Sequence, residues 1–125
     1  MTTNFKKEIE IILPDDFHHH FRDNQYLEST VFYASQRFGR CIVMPNTVPP
    51  IRNKKDAEDY LSRIMKYYPQ KSHNTFKPLM TLYLTDNTSP QDIVDAKESG
   101  ILACKLYPFG ATTNSNYGVT NINNI

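Results

Sequence analysis

Ile11-Ile12-Leu13-Pro14-Asp15-Asp16-Phe17-His18-His19-His20-Phe21-Arg22-Asp23 decides how the rest of the chain is read. An apolar run leads into three consecutive histidines, and the extended region is read from Glu8 to Phe21. Side chains alternate along a strand, so His18 and His20 share one side and His19 takes the other. The Cα atoms of His18 and His20 then lie roughly 6.5 Å apart, within reach of one ion at metal–nitrogen distances of about 2.0–2.1 Å. Two hydrogen-bonded histidines at a strand end fit the same tripeptide, which alone leaves both readings open. Its internal position, its length and its strand-like surroundings argue against an expression tag. His19 is assigned to packing, and His73, within Gln70-Lys71-Ser72-His73-Asn74, to a solvated loop.

Beyond this stretch the chain alternates helix-like and strand-like segments. Tyr26 to Phe38 reads as a helix with Leu27, Thr30, Val31 and Ala34 on one side, closed by Gly39 as a C-terminal cap. Cys41-Ile42-Val43-Met44 is a short buried strand stopped by Pro45-Asn46. Asp56 to Tyr68 is a second amphipathic helix, carrying Tyr60, Leu61, Ile64 and Met65 and ended by Pro69. Leu79 to Thr85 is the third strand. Ser89-Pro90-Gln91-Asp92 starts a third helix with a cap residue, a proline at the first helical position and an acid in the first turn, and that helix ends near Gly100. Ile101 to Tyr107 is the fourth strand.

Four strands separated by three helices argue for a parallel sheet with right-handed crossovers. No phosphate-binding Gly-rich loop follows any strand, and a closed (β/α)₈ barrel needs about 200–250 residues. The fold class expected is α/β, the N-terminal half of such a barrel, with residues 1–125 an incomplete barrel domain and the N-terminal part of a longer protein. One domain suits 125 residues, and 39% apolar content supplies a modest core. With 14 basic and 13 acidic side chains the net charge is +1, which gives no nucleic-acid footprint and no polybasic membrane anchor. No apolar stretch approaches a membrane span and the first residues lack a signal-peptide hydrophobic region, so a cytoplasmic location is expected. Cys41 and Cys104 both read as reduced, buried core residues rather than as a disulfide or metal ligands.

Unusual polar residues fall at the strand ends. His18, His20 and Arg22 close the first strand, Asn46 follows the second, and Lys105 sits late in the fourth, at the edge where parallel α/β folds gather ligands. Lys105 is flanked by Ala103-Cys104 and Leu106-Tyr107. Burial there would lower the pKa of its amine, making it available for a Schiff base or for a carbamate that ligates metal; a lysine that snorkels to the strand end and pairs with an acid is the alternative.

Pro14-Asp15-Asp16-Phe17-His18-His19-His20-Phe21-Arg22-Asp23, Ile42-Val43-Met44-Pro45-Asn46-Thr47, Met80-Thr81-Leu82-Tyr83-Leu84-Thr85-Asp86-Asn87-Thr88 and the run Lys105 to Ser115 together resemble the motifs of dihydroorotase, in the branch that stands alone as a separate enzyme of pyrimidine synthesis. The resemblance covers nearly the whole chain in the expected order. Phe17 and His19 stand where that family usually has Trp and Leu.

The resemblance implies a zinc-dependent amidohydrolase that interconverts N-carbamoyl-L-aspartate and dihydroorotate, with two zinc ions in the full-length enzyme. His18 and His20 would be metal ligands, and Lys105, carboxylated on its amine, would be both a bridging metal ligand and the catalytic residue. Arg22 and Asn46 would hold the substrate carboxylate, and Thr112 and Thr113 would lie on a loop that closes over the substrate. Further histidines and a proton-carrying aspartate are expected on later strands, so this chain alone is expected to be inactive. A small-molecule substrate and self-association, as in a homodimer, are the partners expected. Two other readings are a non-catalytic half-barrel module acting by association with another polypeptide, and a related enzyme of a different cyclic amide.

Overall fold

The first strand starts late because its one partner among the described residues, Arg40–Val43, begins beside Asp15. The computed structural model describes residues 8–69 and 75–125, so His73 lies outside the described residues. β1 (Asp15–His19) is confined to the end of the expected extended region and runs parallel to β2 (Arg40–Val43). Asp15 pairs with Arg40, Asp16 with Cys41 and His19 with Val43, so β1 advances three residues where β2 advances two. This bulge changes the alternation within β1. An ion pair between Asp15 and Arg40 ties the strand starts together, and the Arg40 guanidinium holds the Asp15 carboxyl below its ordinary value.

α1 (Leu27–Ser35) follows a single 3₁₀ turn, Asn24–Tyr26, whose first amide is capped by the Asp23 carboxylate. Leu27, Val31 and Ala34 are buried as their spacing requires. Thr30 turns its hydroxyl to the Phe21 carbonyl at 2.9 Å, tying the helix to the chain after β1. The helix stops at Ser35 with Gln36 as its cap, three residues before the expected Gly39 cap. Gly39 instead starts the sheet: its amide donates to the Pro14 carbonyl at 2.9 Å, and its missing side chain leaves room for Leu13.

α2 (Lys54–Lys66) begins two residues before the expected start because Asn53 caps it, accepting from the Asp56 amide at 2.9 Å. Tyr60 and Ile64 are fully buried beneath it. The expected third strand is divided. β3 (Lys77–Leu79) pairs with β2, whereas β4 (Thr81–Tyr83) pairs with β5 (Ala103–Lys105), giving sheets β1-β2-β3 and β4-β5 with every pair parallel. Pro78 supplies a reason. Lys77 donates its amide toward β2, so the next position should donate toward β5, and proline has no hydrogen to give. Pairing with β5 starts only where Leu102 donates to the Met80 carbonyl at 3.2 Å, and the Thr81 hydroxyl reaches the Val43 carbonyl across the seam.

α3 (Pro90–Glu98) forms as expected, with a reciprocal capping box between Ser89 and Asp92 and proline in its first turn. Gly100 follows at φ +78°, a backbone conformation that suits glycine. The core gathers Phe21, Val31, Cys41, Val43, Tyr60, Ile64 and Leu82 between helices and strands. Beyond α3 that cover runs out: Ile93, Val94, Leu102 and Ile122 are exposed. The expectation that both cysteines are buried therefore holds for Cys41 and fails for Cys104, which is exposed. Cys104 sits between Ala103 and Lys105 on the outermost strand and opens into a cleft with Leu84, Ile93 and Ile122. Both thiols are free. No helix among the described residues is long and apolar enough to cross a membrane.

Candidate functional site

Seven side chains singled out from the sequence, His18, His20, Arg22, Asn46, Lys105, Thr112 and Thr113, line one cleft of about 350 Å³ together with Leu106, Tyr107 and Pro108. The cleft lies at the C-terminal ends of β1, β2 and β5, the side on which parallel strands deliver functional groups. A larger cleft, about 440 Å³, lies along Arg52, Asp86, Asn87 and Tyr117 but brings no histidine or lysine together. Chemistry favours the smaller one.

His18 and His20 sit at and just beyond the end of β1, and their ring centroids are 5.1 Å apart at a tilt of 47°. Burial lowers the pKa of His20, and the neighbouring Arg22 and His18 charges push the same way. The ring is thus kept as the neutral imidazole that a metal requires. The Asn46 carboxamide beside it opposes that shift. Lys105, the last residue of β5, is half-buried, and its ammonium lies 5.9 Å from the centre of the Tyr107 ring.

Arg22 occupies a left-handed backbone conformation, φ 62°, which a long side chain adopts at a cost of about 1–2 kcal/mol. Two neighbours hold it there. The Tyr60 hydroxyl donates to the Arg22 carbonyl, and Asp23 is fixed by Arg63 through two contacts of 3.1 and 2.8 Å. Tyr60 is itself buried and its hydroxyl resists ionisation, chiefly through desolvation. The strained turn therefore aims the Arg22 side chain at the cleft rather than along the direction β1 would give it.

Asn46 is 4% exposed and joins β2 to the loop after β5. Its Nδ2 donates to the Thr113 carbonyl at 2.9 Å, and Asn114 Nδ2 donates to the Asn46 carbonyl at 2.9 Å. Asn46 Oδ1 is buried and accepts no hydrogen bond of good geometry, although the carboxamide acts on the adjacent His20 ring. Thr112 and Thr113 themselves are exposed, while the loop bearing them is folded on buried Ser115, whose hydroxyl donates to the Thr112 carbonyl at 2.7 Å and accepts from the Thr112 amide at 2.9 Å. Gly118 lets that loop pass the Tyr107 carbonyl so closely that no side chain would fit.

Sequence reasoning missed the floor of the site. Tyr83 and Tyr107 stack with centroids 4.6 Å apart, and the Tyr83 hydroxyl donates to the Asn114 carbonyl at 3.1 Å. Nothing in the spacing of two aromatic residues on different strands signals that contact. His19 packs against Phe21 as expected, with ring centroids 4.2 Å apart at a tilt of 51°. It also bonds to Asp16, with Nδ1 2.8 Å from Oδ2. Asp16, His19 and Cys41 bring their ligand atoms within 4.8 Å of one another, a grouping that regular alternation forbids and the bulge in β1 permits.

No family model matches the chain. Its sequence is nevertheless 56% identical over 116 residues to a dihydroorotase of Azotobacter vinelandii, covering 92% of this chain and 33% of that protein. It is 53% identical over 118 residues to a dihydroorotase of Ectopseudomonas mendocina, covering 94% and 33% respectively. Among solved structures, the dihydroorotase of Campylobacter jejuni superposes with a TM-score of 0.77 at 40% identity, over 86% of this chain and 30% of that one. The Saccharomyces cerevisiae dihydroorotase, solved with 5-fluoroorotic acid, gives a TM-score of 0.73 at 32% identity, over 86% and 29%. The chain is thus a mixed α/β unit of parallel strands and three helices that resembles amidohydrolase enzymes. More particularly, it is similar to the N-terminal third of dihydroorotases, and it spans about a third of the length of the curated relatives it matches.

Proposed function

We propose that this chain is the N-terminal part of a zinc-dependent cyclic amide hydrolase that interconverts N-carbamoyl-L-aspartate and dihydroorotate in pyrimidine biosynthesis, a cytoplasmic enzyme whose single barrel domain residues 1–125 only begin. The observation that carries this is the convergence of His18, His20, Arg22, Asn46, Lys105, Thr112 and Thr113 on one cleft.

In this reading His18 and His20 would hold zinc through ring nitrogens, and Lys105, carboxylated on Nζ, would add oxygen ligands. Such ions supply a more acidic water and a polarised amide carbonyl. The protein's own share is recognition. Arg22 offers a planar fork to the substrate carboxylate, and Asn46, whose Nδ2 already gives one hydrogen to the Thr113 carbonyl, has its second N–H left to offer beside it. Thr112 and Thr113 contribute hydroxyls from the loop above. His18, His20 and Lys105 are too few to hold two metals and provide a separate proton carrier, so catalysis requires groups supplied from outside these 125 residues.

Lys105→Ala in a protein carrying the complete barrel tests the assignment. Activity should fall to background and bound zinc should drop, as measured by elemental analysis. Full zinc content in that variant would remove Lys105 from the ligand set.

The exposed Ile93, Val94, Leu102 and Ile122 favour a second reading, in which the chain works as a non-catalytic module by covering this face with another polypeptide or with a second copy of itself. Turnover of dihydroorotate when the chain is mixed with a complementary barrel fragment would decide for the enzyme.

A further inference from the structure

Asp16 and His19 of β1 lie together with Cys41 of β2, which is fully buried in the core cluster that also holds Leu27, Val31 and Ala34 of α1. Their ligand atoms, one carboxylate oxygen, one imidazole nitrogen and one sulfur, all fall within 4.8 Å of one another. A tetrahedral zinc-type ion with bonds of about 2.0–2.3 Å holds such donors roughly 3.3–3.8 Å apart. The three groups therefore need to close by about 1.5 Å at most, with the 2.8 Å contact between Asp16 and His19 opening slightly.

We propose that Asp16, His19 and Cys41 form a second cation site, separate from the one assigned to His18 and His20, that takes a divalent ion of the zinc type. The donor set suits that class, because mixed nitrogen, oxygen and thiolate ligands select zinc-like over hard, oxygen-seeking cations. Charge balances as well. A carboxylate, a thiolate and a neutral imidazole around a dication sum to zero, which is what a half-enclosed site beside an apolar core tolerates. Burial pushes the pKa of the Cys41 thiol up to about 12, so it is the ion that must displace the proton: the Sγ–H bond is lost, the sulfur–metal bond forms, and the proton leaves to solvent with no change of oxidation state.

Two further features support the site. The Asp16 carboxylate is oriented by the His18 amide, which donates to Oδ1 at 2.9 Å and leaves Oδ2 directed at His19. Such outer bonds fix ligand geometry in metal sites. A cleft of about 420 Å³ lined by His19, Thr30, Tyr33 and Phe38, and also by His20, gives solvent access on the His19 side, so a water can fill the fourth position and the ion has a way in. Because Asp16 and His19 come from β1 and Cys41 from β2, an ion there would cross-link the two strands at the bulge.

The test is cobalt(II) titrated into the full chain carrying Cys104→Ser, which leaves Cys41 as its one thiol. A sulfur-to-cobalt charge-transfer band in the near ultraviolet reports a thiolate ligand, and the site of His18, His20 and Lys105 contains no sulfur. The band should saturate at one cobalt per chain and persist when His18 and His20 are both replaced by Ala. It should vanish in Cys41→Ser and weaken in apparent affinity by about tenfold or more in His19→Leu. His19→Leu spares the buried core and remains informative if Cys41→Ser does not fold. Cobalt binding without a sulfur band, no binding at all, or a band unaffected by His19→Leu would each overturn the proposal and leave the three residues as a hydrogen-bonded packing cluster.

Discussion

Tyr60→Phe removes one hydroxyl and nothing else. The ring stays buried, and Arg63, 5.2 Å above its centre, keeps its cation–π contact. The lost bond is the one from the Tyr60 hydroxyl to the Arg22 carbonyl, worth about 0.5–1.5 kcal/mol net. Arg22 sits at φ 62° against a penalty of about 1–2 kcal/mol, so bond and strain are of similar size. Without the bond the relaxed backbone gains about 1 kcal/mol on the strained one, which shifts their ratio roughly fivefold and lowers an evenly balanced population aiming the guanidinium at the cleft by about threefold. Under the proposed function, KM for dihydroorotate should rise about threefold in a protein carrying the complete barrel. The accompanying loss of stability should be about 1 kcal/mol by urea unfolding, with bound zinc unchanged. Full loss of stability with KM unaltered would show that Tyr60 supports the fold and not the aim of Arg22. No change in either quantity would show that the hydroxyl contributes nothing.

Arg22→Lys should keep zinc bound and weaken substrate binding by about ten- to a hundredfold, the loss of one charge-assisted bond of roughly 1.5–3 kcal/mol, and unaltered KM and kcat would remove Arg22 from the carboxylate site. Ser89→Ala should cost about 1 kcal/mol near neutral pH by loss of the α3 cap. The hydrogen bond from Ser89 depresses the Asp92 pKa below 3.8, so the carboxylate's contribution is present above 3.8 and lost as pH falls through its folded value. The Ser89→Ala penalty should therefore shrink in acid, and an equal penalty at pH 2 and pH 7 would contradict the reciprocal cap. Sedimentation of the 125-residue chain at micromolar concentration should show association through its uncovered strand edge and apolar face, and a monodisperse monomer with cooperative unfolding would show that these strands need no cover.

Much of the fold was legible because hydrophobic period and turn chemistry agree. The box at Ser89 and Asp92 and the spacing of Leu27, Val31 and Ala34 are local signals, and the structure uses them locally. The site residues were legible for a different reason. Histidines, an arginine and a lysine at strand ends are out of place in a core, and the parallel topology then carries them to one edge. What escaped depends on partners far along the chain. The bulge in β1 is a mismatch of step against β2, and no property of Asp16 to His19 alone announces it. The exposure of Cys104 reflects what packs beside its strand and not its apolar neighbours. The division of the third strand had a visible cause in Pro78, although its effect depends on which neighbour that residue's missing hydrogen would have met.

That division has a consequence for the candidate site. His18, His20 and Asn46 ride on the sheet of β1, β2 and β3, while Lys105 ends the separate pair β4-β5. The distance from the imidazole pair to the lysine is consequently set by how two small rafts lie against each other, with the Thr81 hydroxyl on the Val43 carbonyl as one rivet and Asn46 on the Thr113 carbonyl as another. A ligand shared by His18, His20 and Lys105 would act as a clasp between the rafts, so that loading the centre and setting the curvature of the strands become one event.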